Sequence, residues 1–219
     1  MKSIVEQYNA CRRLETPVSD VPRFPVLGRL CRSSLKRLER SYREGAPVAM
    51  LVSHSRFAPG YVVDSFLAGI ETRATVIRIE QSFDDPGAFM DELVNCLGFD
   101  CEGLELQDFQ NVLGLFLRYQ KMKRQRTVLV IRDIDAHGKQ VLARIRELID
   151  MEASNQFGLM MVLTGPANDM LEPMDPIVEA ISARAGERIV LTPFSLPETR
   201  EFVRERYERP EPGAQEGDD

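Results

Sequence analysis

The side chains best equipped for chemistry in this sequence fall just after short apolar runs. His54 follows VAMLVS, flanked by Ser53 and Ser55; Arg132, Asp133 and Asp135 follow TVLVI; Thr164 follows GLMMVL. A Ser–His pair that attacks a carbonyl needs a third group to orient the imidazole and donors for the oxyanion, and the sequence signals neither. His137 reads as an ordinary residue at the start of a helix. By themselves, Arg132, Asp133 and Asp135 are a salt-bridged turn, and Thr164 is a hydroxyl that caps the turn after its strand. The four cysteines, Cys11, Cys31, Cys96 and Cys101, form no CxxC pair and lie far from both histidines in sequence. That pattern excludes a zinc framework and a disulfide framework, and reduced thiols fit a cytosolic chain.

The elements that would have to position these groups alternate in kind. VAMLV (48–52), ATVIRI (74–79), TVLVI (127–131), GLMMVL (158–163) and ERIVL (187–191) are near-continuous apolar runs. Amphipathic segments near 61–70, 87–97, 107–122, 137–152 and 167–183 lie between and around them. Apolar runs without polar alternation are strands buried on both faces, and their alternation with helices predicts a parallel sheet with helices on each side. The expected fold is α/β, a three-layer sandwich with a five-stranded, mostly parallel sheet. A helix over about 29–44 precedes it, with Leu27, Cys31, Leu35, Leu38 and Tyr42 on one face and a basic stripe, Arg29, Arg32, Lys36, Arg40 and Arg43, beside it. A last helix starts after Pro193, with Ser195 as N-cap and Glu198 completing a capping box. No internal repeat is evident.

Composition sets outer bounds. The 219 residues are 43% hydrophobic and 28% charged, with a net charge of -6, so the chain suits one ordinary globular domain with small appendages. The negative balance argues against a protein that coats nucleic acid through its overall field. There is no signal-peptide pattern at the N-terminus and no run of eighteen apolar residues, so a cytoplasmic protein without a membrane span is expected. The expected organisation is an N-terminal helix and Pro-rich linker over 1–24, a core domain over 25–194, the start of a further helix over 195–207, and a disordered acidic tail over 208–219.

Three stretches carry a resemblance to a known family. They are REGAPVAMLVS, RTVLVIRDIDAHGKQVLARIRELIDM, and GLMMVLTGPANDML with the following ISARAGERIVLTPFSLPETREFVRERY. Together they resemble the AAA+ P-loop ATPases, and among them the bacterial ExeA-like secretion ATPases and the TniB-like transposition group, over roughly residues 25–207. The resemblance implies a P-loop NTPase fold and a site for ATP and Mg²⁺. A working P-loop, G-x-x-x-x-G-K-[ST], wraps phosphates with backbone N–H groups, neutralises them with its Lys and holds Mg²⁺ with its hydroxyl. The matching stretch here is SRFAPGYV. Ser55 and Arg56 open it, Gly60 survives, Tyr61 stands in the Lys position and Val62 in the hydroxyl position, while Pro59 removes an N–H donor. Where the family places Asp and then Glu after the third run, this chain has Arg132 and Asp133, with Asp135 beyond.

Both nucleotide motifs are therefore degenerate relative to the family, Asp133 and Asp135 are vestigial, and no cofactor is assigned. Thr164 matches a sensor position. Arg184 and Arg188 match arginines that reach a neighbouring subunit's ATP site, although pairing with acids such as Glu179 and Glu187 accounts for them as well. The family's helical lid is expected to be truncated after TREFVRERY. A pseudo-ATPase that joins a protein partner, such as an active AAA+ ATPase, follows from this reading. Two alternatives stay open. One is a divergent ATPase using Arg56 or Arg132 in place of the Lys. The other is a DNA-associated helper using the basic stripe or the cluster Arg118, Lys121, Lys123, Arg124 and Arg126, which as exposed charges are equally a solvated face.

Overall fold

The computed structural model describes residues 25–54, 57–70, 73–99, 106–167 and 175–207. In chain order the elements are α1 (Pro25–Leu30), α2 (Arg32–Glu44), β1 (Val48–Ser53), α3 (Phe57–Ile70), β2 (Ala74–Ile79), α4 (Pro86–Cys96), α5 (Leu106–Met122), β3 (Arg126–Ile131), a 3₁₀ turn (Ile134–Ala136), α6 (Lys139–Asn155), β4 (Leu159–Pro166), α7 (Pro176–Arg184), β5 (Glu187–Leu191) and α8 (Leu196–Tyr207). The five strands form one sheet in the order β2-β3-β4-β1-β5, and all four pairings are parallel.

Strand period two divides the apolar runs between two cores. Val48, Met50 and Val52 of β1, with Leu129 and Ile131 of β3 and Met161 and Leu163 of β4, face α4, α5, α6 and α7. Ala49 and Leu51, with Val128, Val130, Met160 and Val162, face the other way, onto α2 and α3, with Phe194 and Phe202 packed at the margin. Every residue of β1 is buried, which is why its sequence shows no polar alternation. The result is the α/β three-layer sandwich expected from the sequence.

Three boundaries differ from expectation. One is that of α7, which starts at Pro176 and not near 167. The first helical region starts at Pro25 and breaks at Cys31, giving two helices where one was expected from about 29. More consequentially, α3 begins at Phe57, four residues before the segment read from the sequence. Pro59 and Gly60, which look like loop punctuation, lie inside the helix. Proline is tolerated in a first turn because its missing N–H has no intrahelical partner there.

Candidate functional site

Parallel α/β sheets gather functional groups beyond the carboxyl ends of their strands. Here that edge collects the end of β1 with the start of α3, and the segments that follow β2, β3 and β4. Only residues 54–56 join β1 to α3, so most of the SRFAPGYV stretch is helix and not an open loop. Ser55 and Arg56 lie outside the described residues. Val62 is fully buried in the core between α3 and the sheet. Tyr61 packs at the margin of the same core and turns its hydroxyl toward α1, where a Cβ on Gly28 would lie 3.1 Å from it.

Gly60 faces the groove, and it faces an arginine. A Cβ placed on Gly60 would lie 2.8 Å from Nη2 of Arg132, so only glycine lets the guanidinium rest against α3 without moving. From its other side Arg132 donates through Nη1 to Oε2 of Glu80 at 2.7 Å, just past β2. Arg78 in β2 extends the chain of charges, donating to Oδ1 of Asp64 on α3 at 2.8 Å and lying 3.9 Å from Glu80. Two guanidinium groups and two carboxylates thus alternate over the end of the sheet, neutral in sum. The hydrogen bond to Glu80 raises the Arg132 guanidinium above its ordinary pKa, and burial opposes this.

The backbone beneath Arg132 is fixed from two directions. Asp133 adopts a left-handed conformation, φ 47° and ψ 58°. Its N–H donates to Oγ1 of Thr164 at 3.2 Å, so the sensor-like threonine, itself buried, is engaged in holding the turn after β3. His137 supplies the second hold. Nδ1 accepts from the Phe83 N–H at 3.3 Å, which leaves Nε2 to donate to the Arg132 carbonyl at 3.2 Å. The imidazole is buried, stacked on Phe83 and edge-on to Phe89. Burial lowers its pKa, against smaller opposing effects of the Arg132 carbonyl, Asp133, Asp135 and Asp84. Gly138, next in sequence, has no room for a side chain because a Cβ would meet the Asp84 carbonyl at 2.9 Å.

The structure thus brings Gly60, Asp133, Asp135 and Thr164 to one edge, together with Arg132. Glu80, Arg78, Asp64 and His137 belong to the same constellation and were missed by sequence reasoning. An acid directly after an apolar run, as in RIE, was a usable signal for Glu80. His137 carried none, and its reading as an ordinary helix-start residue is corrected. It is buried and joins the segments after β2 and β3.

Arg184 and Arg188 sit at the opposite edge of the sheet, around the start of β5. Arg184 does pair with an acid, but the partner is Asp150 of α6, at 2.8 Å, and not Glu179 or Glu187. Glu187 is taken by Arg37 of α2. Arg188 is exposed, and its carbonyl accepts a hydrogen bond from Arg37.

Each basic stretch is engaged in part within the chain. In the first stripe Arg29 of α1 pairs with Glu201, and Arg40 of α2 pairs with Glu44. In the second cluster Arg126 folds back onto the Tyr42 ring, 4.7 Å from its centroid, and donates to the Tyr42 carbonyl. Burial of the Cys31 thiol pushes its pKa up to about 11, so it is not a nucleophile at neutral pH. Among the described residues no helix is long and apolar enough to cross a membrane.

No protein-family model and no curated protein matches this sequence. Solved structures do match the fold. Cdc6p from Pyrobaculum aerophilum superposes with a TM-score of 0.62 at 17% identity, over 87% of this chain and 52% of that one. The ORC2 protein of Aeropyrum pernix gives 0.61 at 12% identity, over 88% and 55%. The ORC1 protein of Aeropyrum pernix, solved in complex with DNA, gives 0.58 at 18%, over 89% and 52%. The chain spans about half the length of these structures. Its fold is that of the AAA+ P-loop ATPases.

Proposed function

We propose that this chain is an AAA+-fold module that works by binding a protein partner within a larger assembly, and that its own nucleotide site is closed by Arg132. The observation that carries this reading is the guanidinium wedged between Gly60 and Glu80, on the face of α3 where phosphates would have to lie. On this reading the residues do not fit Mg²⁺–ATP. Val62 offers no hydroxyl and belongs to the core, Tyr61 is turned to α1, and the first turn of α3 contains a proline in place of one N–H donor. Glu80 and Asp64 would add repulsion to a triphosphate.

Within this reading we keep the ExeA-like and TniB-like group as the branch proposed, and its support is the resemblance of the three landmark stretches of the sequence. Arg184 is the proposed contact to a neighbouring ATP site, reachable once its exposed pair with Asp150 opens, since such pairs contribute only about 0–1 kcal/mol. ORC1 of Aeropyrum pernix was solved with DNA. In this chain the internal pairing of Arg29, Arg40 and Arg126 supports protein recognition over phosphate recognition.

Thermal unfolding with and without ATP plus Mg²⁺ tests the reading. A ligand at about 100 times its dissociation constant adds roughly 2.7 kcal/mol, which moves the midpoint of a domain this size by several degrees. No shift across millimolar ATP is expected. A clear shift would overturn the closed site and favour a divergent nucleotide-binding ATPase.

A further inference from the structure

α5 carries apolar side chains on two faces. Leu113, Phe116, Leu117 and Gln120 are buried toward the sheet. Leu115, Tyr119 and Met122 face outward and are 65%, 39% and 84% exposed. Their spacing, i, i+4 and i+7, lines them along one stripe about 10 Å long, two turns of helix. A helix that needs only to cover a sheet has no use for a second apolar stripe.

The stripe is bordered by cations. Lys123 places its Nζ 4.4 Å from the Tyr119 ring centroid, and the Arg118 guanidinium lies 5.7 Å from that of Phe157. Lys121 and Arg124 are exposed beside them, and from Phe109 to Arg126 there is no Asp or Glu. On a chain of net charge -6 this is a local reversal of sign.

We propose that this stripe docks an amphipathic helix of a partner protein, with aliphatic residues at i, i+3/i+4 and i+7 and carboxylates along both margins. Aromatic residues and methionine are the side chains enriched in interface cores, and methionine adapts to a partner's shape. The charge pattern selects among occupants. A second copy meeting this face about a two-fold axis would set basic margin against basic margin. A nucleic acid would leave three apolar side chains against phosphate. An anionic membrane would repel the chain's overall charge, and two turns are short for an interfacial helix.

The inference deepens the binding-module reading, yet the two fail separately. Met122 leads into the amino end of β3, whereas Arg132 lies beyond its carboxyl end. The ATP result therefore leaves the stripe untested, and the stripe is tested with its own probes. Two synthetic helical peptides sharing one leucine stripe, one with Glu margins and one with Lys margins, are titrated into the full chain and followed by amide NMR shifts. The Glu peptide is expected to bind at least about tenfold more tightly, to shift amides confined to 111–124, and to lose binding in Leu115→Ser/Met122→Ser. Because both residues are exposed, that variant keeps its unfolding midpoint. Equal binding of the two peptides, shifts elsewhere, or unaltered binding in the double variant would overturn the proposal. So would dimerisation through this stripe, or saturation of the same amides by a DNA duplex or anionic vesicles in preference to the Glu peptide.

Discussion

Arg132 shows how one residue changes what a strand end can do. A carboxylate at that position would stand beside Glu80 and add negative charge suited to a cation. A guanidinium needs an anion, and Glu80 provides it at 2.7 Å from the segment after the neighbouring strand. The pair is too exposed to contribute more than about 1 kcal/mol, so its consequence is occupancy of space and not stability. His137 beneath it is a different case. Its folded pKa is lowered by burial, below the ordinary value near 6.5. The unfolded chain therefore takes up the proton first as pH falls, and the stabilisation from neutral His137 is complete above that ordinary value and declines as pH drops through it. The unfolding midpoint should fall between pH 7.5 and 5.5, and His137→Gln, though less stable at pH 7.5, should flatten that slope. An unchanged slope in the variant would assign the pH dependence to other groups.

Among the elements, α8 and α3 make opposite points about local signals. For α8 the local chemistry is complete: Glu198 accepts from the Ser195 N–H at 2.7 Å and from its hydroxyl at 2.6 Å, and the Glu198 N–H reaches Oγ at 3.4 Å. These bonds hold the Glu198 carboxyl below its ordinary pKa. Ser195→Ala should cost about 1 kcal/mol, read from denaturant midpoints, as is typical for losing such a cap. A cost near zero would mean that α8 is held by the packing of Phe202 and not by its cap. For α3 the local signals mislead. Pro59 and Gly60 mark a loop by composition, but Ala58, Val62 and Val63 beside them are buried, and docking that apolar face outweighs about 1 kcal/mol of helix propensity lost at glycine.

At the scale of the molecule, the sheet is what both cores share. Leu51 lies in β1, between β4 and β5, fully buried against α3, while its neighbour Met50 faces the helices opposite. Leu51→Ala should destabilise by about 2–5 kcal/mol, a large share of the 5–15 kcal/mol typical of a domain. Loss should be seen together in both faces by hydrogen exchange; protection lost only around α2 and α3 would show that the layers unfold separately. The positions of β1, β3 and β4 follow from the sequence alone, because a strand covered on both sides is apolar nearly throughout and its limits are then visible as composition. The edge strands β2 and β5 are partly exposed and carry charges, yet keep enough apolar residues to be read as runs. The capping box and the replacement of Lys and hydroxyl by Tyr61 and Val62 are equally local facts. The tertiary structure alone decided what stands at the strand ends. Arg132 and Glu80 are 52 residues apart, and His137 and Phe83 are 54 apart. Those pairs exist only because the strand order sets β2 beside β3, and no sequence pattern fixes which of several acids a given arginine will meet.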